Sequence, residues 1–406
     1  MKKGILIGII FCFMLSGCNK LQSSISEQEV TLSEESKKNI EICLYIEKKI
    51  SLGKYEPEEG IYLGAYTEKN SYIHDDIKVF ERLVGHPQTF RVLQYSSKNV
   101  ITKKDILQCI AQKKVPYIKL LMPKKDPLNR VYQMIADLRS EYDIPIFIEL
   151  FPLTDDITDP AAYKDIYMDA HKIIKKYIKD STIVWSIELG RTYDMPLYYP
   201  GNKYADWAGI NIYVPKYKNN KEYDENIEKN LDFWYKNFQH SKPMMISALA
   251  ISHYSTVDHT YTVSETKDKL NMFYDTYTKL YPRLKGVIYI DIDMREISNK
   301  GTDDYRVTMQ KQLSDYLKNK FKEDRFLDFL AEEKPSTAYQ LIKCDIPAVV
   351  CNDKIYISKE YTKVLFKGIT LSKIASIKDL EGEEYYLLED IAQYEKVFYQ
   401  IPKITF

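Results

Sequence analysis

Carboxylates stand near the ends of three apolar runs in this chain: Glu149 in Ile144–Phe151, Glu188 in Thr182–Leu189, and Asp291 with Asp293 in Leu284–Asp293. Two carboxylates facing each other across a substrate can divide one hydrolysis between them, the first protonating a leaving oxygen and the second attacking. An isolated carboxylate inside a fold more commonly pairs with a cation; Lys119 is one such partner, and Arg191 is placed to reach Glu188. Asp291 and Asp293, two residues apart on an extended chain, point alike. Histidine supplies no ligand set, because His253 and His259 share one loop without a third donor. The reading therefore contains no metal and no cofactor.

The elements that must position these groups alternate between apolar runs and amphipathic segments, the signature of repeated strand–helix units. Strands read at Gly60–Tyr66, Thr89–Ser96, Val115–Met122, Ile144–Phe151, Thr182–Leu189, Ala205–Val214, Lys242–Ser252 and Leu284–Asp293. Helical patterns read at Ile73–Val84, Lys103–Gln112, Pro127–Glu141, Asp159–Lys179, Asp224–Phe238, Ser264–Tyr281 and Asp303–Lys320. Eight strands are what a (β/α)8 TIM barrel needs, with its chemistry at the C-terminal strand ends. The connection Gly190–Tyr204 carries Pro196 and Pro200 and is too short for a full helix.

The most specific stretch is Tyr-Tyr-Pro-Gly-Asn-Lys-Tyr-Ala-Asp-Trp-Ala-Gly-Ile-Asn-Ile-Tyr, from Tyr198 to Tyr213. Pro200-Gly201 makes a turn, and the small and apolar residues that follow suit a strand covered on both faces. At Tyr199, Pro200, Gly201, Tyr204, Asp206, Trp207, Gly209, Ile210 and Tyr213 it resembles the sixth-strand segment of family-26 glycoside hydrolases, the β-mannanase-like barrels. Gly60–Tyr66, Val184-Trp185-Ser186, Lys242–Ile246 and Leu284–Tyr289 resemble that family's first, fifth, seventh and eighth strands.

The resemblance implies a retaining pair of glutamates at the ends of strands four and seven. Aligned on the family's Arg-x-x-His-Glu-Met-Asn segment, this chain has Glu149 at the arginine, Pro152 at the histidine, Leu153 at the acid/base and Asp155 near the asparagine. Aligned on Lys-Pro-x-x-Ile-x-Glu-x-Gly, it has Ala248 at the nucleophile and Ala250 at the glycine. No Asp or Glu lies between Lys242 and Val257, so a one-residue slip restores nothing. Both family positions thus lack a carboxylate, and Glu149, Glu188 and Asp291 are the only alternatives weighed. Tyr66, Trp185, Asn211, Tyr213 and Tyr289 fall on matching strands and are read as ligand-binding. Core packing is the alternative for each aromatic except Tyr213, whose family equivalent faces the active site.

Met1 to Gly17 carries two lysines and an apolar run, Ile5–Leu15, too short to span a bilayer, and ends in Leu15-Ser16-Gly17-Cys18. This resembles a bacterial lipobox and implies lipidation of Cys18. Residues 1–17 read as the lipoprotein signal peptide, 18–54 as an anchored polar tether with a lead-in helix at Glu35–Leu52, 55–325 as the barrel, and 336–406 as a small α+β domain. Within the last, short β-type runs read at Ala348–Val350, Lys354–Ser358, Lys363–Phe366, Tyr385–Leu387 and Val397–Tyr399, and Asp379–Ala392 weakly resembles a stalk (copper amine oxidase N-terminal-like) domain. Fifty-eight basic against 58 acidic residues leave no net field for nucleic acid. Cys344 and Cys351 either pair or remain buried thiols.

The expected object is an extracytoplasmic lipoprotein, partnered by the membrane through Cys18 and by an envelope polysaccharide or protein. A β-glycan hydrolase with relocated carboxylates and a structural interaction module, its cleft filled by side chains such as Leu153 and Met294, remain open. Cys18→Ala is expected to move the protein from the membrane fraction to the soluble fraction, as fractionation and blotting would read, because two acyl chains at about 0.8 kcal/mol per buried methylene hold the native form.

Overall fold

The computed structural model describes residues 38–96, 99–138, 144–333, 337–395 and 397–400. The signal segment, Cys18 and most of the tether lie outside the described residues. The chain divides into two compact units, one comprising the described residues up to Glu41 with Pro347–Glu395, the other Ile42–Ile346 with the chain from residue 397.

The larger unit is a (β/α)8 barrel. Its strands, one to eight, are Ile61–Tyr66, Phe90–Tyr95, Val115–Leu120, Ile146–Leu150, Ser181–Glu188, Trp207–Val214, Met244–Ile251 and Leu284–Ile290. Each lies parallel to the next, and strand eight returns to strand one from Gly286↔Tyr62 to Ile290↔Tyr66, closing the ring. Helices Ile77–Val84, Lys103–Ala111, Pro127–Leu138, Pro160–Tyr177, Ile227–Phe238, Val263–Asn271 and Lys311–Lys320 fill the connections. Between strands five and six stand only short pieces, Leu189–Asp194, Met195–Tyr198 and Asn202–Tyr204, as the two prolines there dictate.

Alternation along the strands divides the core in two. On strand six Ala208, Ile210 and Ile212 pack outward beneath the helices, whereas Trp207 packs inward. The inward floor is aromatic, with Tyr62, Phe90, Tyr117, Phe147 and Trp207 packed against Tyr55. Tyr55 belongs to the segment entering the barrel, and three contacts pin that segment. Arg283 grips Glu56 through Nε at 3.0 Å and Nη2 at 2.6 Å, both side chains fully buried, while Trp207 Nε1 donates to Lys54 O and Tyr62 OH to Tyr55 O.

Two helical expectations are corrected, and a third helix is present with a local irregularity. Glu35–Leu52 holds the strand Lys38–Ser51: its Glu and Lys favour helix, but Ile42-Cys43-Leu44-Tyr45-Ile46 are all buried, and pairing with Val397–Gln400 overrides propensity. The expected helix Asp303–Lys320 begins only at Lys311, and Asp303–Asp304 pair instead with Tyr254–Ser255. Ser264–Tyr281 widens into a π-helical turn at Met272–Tyr277. There Arg325 inserts into the ladder, donating to Tyr274 O and to Thr278 Oγ1, which takes up a carbonyl the normal helix would use itself.

In the smaller unit, Lys354–Ser358 pairs with the end of the strand Thr337–Cys351 and with Glu384–Leu387, which pairs with Ser376–Lys378. The run Lys363–Phe366, expected extended, lies in the helix Lys359–Leu365 and its C-cap; Ser358 caps that helix by accepting from Tyr361 N. Helix Leu388–Tyr394 follows directly on its strand. Cys344 and Cys351 are both free thiols.

Gly209 lies on the inward face of strand six, where an added Cβ would meet Ser247 Oγ at 2.7 Å and Ser186 Cβ at 2.9 Å. Gly209→Val is therefore expected to cost about 1–3 kcal/mol by overpacking, read as a lower midpoint in urea; an unchanged midpoint would contradict the tight inner face.

Candidate functional site

Above the aromatic floor, five consecutive strands contribute one polar layer. Strand three presents Lys119, strand four Glu149, strand five Ser186, strand six Asn211 and strand seven Ser247. Glu149 is wholly buried, and its Oε1 accepts from Ser186 Oγ at 2.6 Å and Asn211 Nδ2 at 3.0 Å, with Lys119 Nζ at 3.4 Å. Asn211 Oδ1 in turn accepts from Ser247 Oγ at 3.0 Å and Lys119 Nζ at 3.4 Å. Burial works against the Lys119 ammonium, yet Glu149 and the Tyr213 hydroxyl hold its pKa above the ordinary lysine value. Glu149 Oε2 and the Tyr117 hydroxyl are buried without partners. The layer neutralises Glu149 rather than presenting it to a substrate.

Strand seven departs from regular pairing at this level. Ile246 pairs with Ile210 but Ala248 with Asn211, so one extra residue is accommodated at Ser247, a β-bulge. Ser247 bonds within the polar layer, and Ala248 and Ala250 join the interior cluster. The inner face of strand seven thus carries Ser247, Ala248 and Ala250, none of them ionisable.

The end of strand four is bent. Phe151 sits at φ +47, a left-handed conformation costing a bulky residue about 1–3 kcal/mol. It is held by its own N–H to Leu120 O and by Tyr163 OH donating to its carbonyl. The chain then crosses to strand five, where Leu153 pairs with Ile187 and its side chain enters the core beneath the helices. Leu153 consequently neither faces the interior nor fills a cleft.

Of the five residues read as ligand-binding, the structure brings three to the inner face. Asn211 lies in the polar layer, Tyr66 in the interior cluster, and Tyr213, 40% exposed, at the mouth. Trp185 and Tyr289 are corrected: Trp185 points outward against Tyr199 and Phe238, and Tyr289 lies in the same outer core with its hydroxyl donating to Tyr305 O. Arg191 bonds Asp194, Ile157 O and Thr154 O and reaches Glu188 only as a longer-range charge that lowers its pKa. Glu188 stands half-buried at the inward end of strand five, its pKa raised by burial and by Asp155. Asp291 is wholly buried, accepting from Thr308 Oγ1 at 2.6 Å, Thr308 N at 3.3 Å and Asn70 Nδ2 at 2.6 Å, so it ties the loop after strand one to the loop after strand eight. Burial pushes its pKa up to about 7.

Sequence reading missed the loop after strand eight. Tyr305, from this loop, is buried in the interior cluster with Ala248, Ala250, Ile290 and Ile292, and Met294 packs against it. An ion network holds the loop: Asp293 and Asp304 accept from both Arg295 and Arg306, and Glu296 accepts from Arg306 and from Ser71. The charge-dense run Asp303-Asp304-Tyr305-Arg306 directly after the Gly301 turn was the available signal, poorly suited to one face of a helix. Lys216 adds a clamp on Asp258 and Thr260, joining the loops after strands six and seven. Among the described residues no group of three or more His, Cys, Asp or Glu is placed to hold a metal. An open groove of about 610 Å³ is lined by Asp76, Lys78, Glu81, Arg82 and His86, all on or beside helix Ile77–Val84 and none at a strand end.

By sequence, no family model matches the chain and no curated protein is detectably similar to it. Its fold has many counterparts among solved structures. A modular endo-β-1,4-mannanase from Cellulomonas fimi superposes with a TM-score of 0.51 at 10% identity, covering 82% of this chain and 94% of that one. What the two share is the (β/α)8 barrel fold. GH26C from Muricauda sp. gives a TM-score of 0.50 at 8% identity, over 69% of this chain and 91% of that one. Bacteroides uniformis β-glucuronidase 2 gives 0.49 at 12% identity over 68% of this chain, which spans only 37% of that enzyme.

Because the folded pKa of Asp291 stands above its ordinary value of 3.8, the folded state binds the extra proton between about pH 4 and 7. Its contribution is complete below that window and is lost as pH rises through it. Asp291→Asn removes this dependence, so the stability of the variant relative to the native protein should rise with pH, by up to about 1.4 kcal/mol per unit, and level off above pH 7. Chemical denaturation at stepped pH reads it; a difference constant across the window would refute the buried, protonated carboxylate.

Proposed function

We propose that this protein is a lipid-anchored extracytoplasmic lipoprotein whose glycoside-hydrolase-like barrel does not hydrolyse glycans but binds or scaffolds at an envelope polysaccharide. The observation that carries the reading is the inner face of strand seven: where the resembling family keeps its nucleophile this chain has Ala248, and Tyr305 shares the interior with it. Losing proton transfer alone costs about 10²–10⁴-fold in rate, and without a nucleophile the covalent route is gone. Leu153, at the family's acid position, packs outward, so a glutamate introduced there would enter apolar core rather than meet a glycosidic oxygen. The fold shared with family-26 mannanases supports a glycan ligand, and Tyr213, exposed at the mouth, offers the flat face on which sugars stack. The smaller unit, with its stalk-like strand–helix segment, serves as a spacer or wall-facing adaptor.

Glu188 gives the hydrolase reading its one favourable feature, a half-buried inward carboxylate with a raised pKa. A single assay separates the two. Purified protein incubated with mannans, glucans and xylans should release no new reducing ends, yet migrate more slowly in gels containing the polysaccharide it binds, and Tyr213→Ala should abolish that retardation. Turnover that disappears in Glu188→Gln would overturn the non-catalytic reading and assign the acid; absence of both turnover and retardation across the panel would overturn the glycan.

A further inference from the structure

His253 is the first residue beyond the hydrogen-bonded run of strand seven's end, 1% exposed, and neither ring nitrogen has a hydrogen-bond partner. Its backbone is fixed, N–H to Asp304 O at 3.0 Å and carbonyl from Thr262 N at 2.8 Å, so the ring stays beside the ion network that holds the loop after strand eight. The nearest carboxylate oxygen is Asp304 Oδ2, 4.0 Å from Nε2. That carboxylate is fully occupied. Oδ1 accepts from Arg306 N at 3.0 Å and Arg306 Nε at 2.9 Å; Oδ2 accepts from Arg295 Nη2 at 3.1 Å and Arg306 Nη2 at 2.7 Å.

We propose that His253 is the trigger of an acid-released latch: once protonated it takes Asp304 from the arginines and frees the loop that carries Tyr305 over the strand-seven side of the barrel mouth. A neutral imidazole is tolerated in this position, but an imidazolium brings two N–H donors and a charge into a site without a free acceptor. The charged groups facing the ring are Asp304, Asp293, Arg295 and Arg306, all from the loop after strand eight. From its own hairpin come Tyr261, whose ring stacks on it with centroids 6.0 Å apart, and farther out His259, paired with the Tyr254 hydroxyl. The following helix contributes the Thr266 hydroxyl, already bonded to Ser252 O.

Burial, then Arg306 and Arg295, depress the His253 pKa against the pull of Asp304 and Asp293. With the closed-state pKa depressed, the closed form binds fewer protons than an open form with a solvated ring. Its advantage is therefore full above the ordinary histidine value of 6.5 and is lost as pH falls below it. Arg295 is the leg that yields, because its side chain is one-third exposed and water can replace what it loses. Asp293, its pKa held low by Arg295 and Arg306 against burial, stays ionised over the same range, so the network does not dissolve first from the carboxylate side. Opening withdraws Tyr305 from Ala248 and Ala250. The inference stands whatever the mouth binds.

The test is amide hydrogen exchange on the full-length protein at about pH 7.5 and about pH 5, corrected for intrinsic chemistry. Protection across Ile292–Arg306 should fall by about tenfold or more on acidification in the native protein, persist in His253→Gln, and fall as usual in His259→Gln. Unchanged protection in the native protein, or a fall that survives in His253→Gln, would overturn the latch. So would simultaneous loss of protection in the floor segment Lys54–Glu56, which would mean global loosening. Should His253→Gln not fold, an NMR titration of the native histidines decides: the His253 ring must take up its proton in step with loop opening, and a ring that titrates while protection holds, or stays neutral while it falls, rejects the mechanism.

Discussion

A sheet closed on itself has no edge, but it encloses a volume that side chains must fill, and at eight strands that volume is just wide enough to be filled completely. Every feature of the mouth follows from how this sequence meets the constraint. The floor is closed by aromatic rings and by Tyr55, held there by the Glu56–Arg283 pair. The middle is closed by a polar layer, in which Lys119 and Glu149 offset each other's charge and Ser186, Asn211 and Ser247 occupy most of the remaining hydrogen-bonding capacity. Removing either charge would leave the other buried alone, at about 3–5 kcal/mol. At the top, strand seven offers only alanines, and the space left beside them is filled from outside the barrel by Tyr305.

Much of the barrel was legible. All eight strands lie within three residues of their sequence positions, because long apolar runs separated by amphipathic segments leave few alternatives. The side on which residues fall was legible too. Trp185 and Glu188 are three apart on one strand and must point oppositely, so they cannot both line a cavity; Asn211 and Tyr213, two apart, can. What lay beyond reach was tertiary. Lys38–Ser51 has helix-forming charges and became a strand because a partner strand more than three hundred residues later covers it. Phe151 turns Leu153 outward by a positive φ that a phenylalanine gives no reason to expect. The charge-dense run around Tyr305 argued against a helix, but its packing beside Ala248 and Ala250 depends on residues far from it in sequence.

The bulge at Ser247 lies within strand seven and the turn at Phe151 at the end of strand four, the two strands where the resembling family places its chemistry, and both are departures from regular strand geometry. One directs consecutive small residues to the interior, the other sends the chain away from it. Under the non-catalytic reading proposed above, backbone course as well as side-chain identity sets these strands apart, so that exchanging residues alone would not recreate the spacing a glycosidase needs.

The strand Lys38–Ser51 enters the larger unit antiparallel to Val397–Gln400, from Cys43↔Gln400 to Ile46↔Val397. Ladder hydrogen bonds lie across the strand axis, so tension applied along the chain ahead of Lys38 would load these bonds together, in shear, rather than peel them one at a time. Lys38–Ser51 is flanked on its other side by Thr337–Cys351, and past this sheet stands the buried grip of Arg283 on Glu56. The order of these barriers makes the entry to the barrel its mechanical strong point: a chain pulled from its N-terminal side must leave its sheet first, and the ring of eight strands is disturbed only after the floor has been torn out.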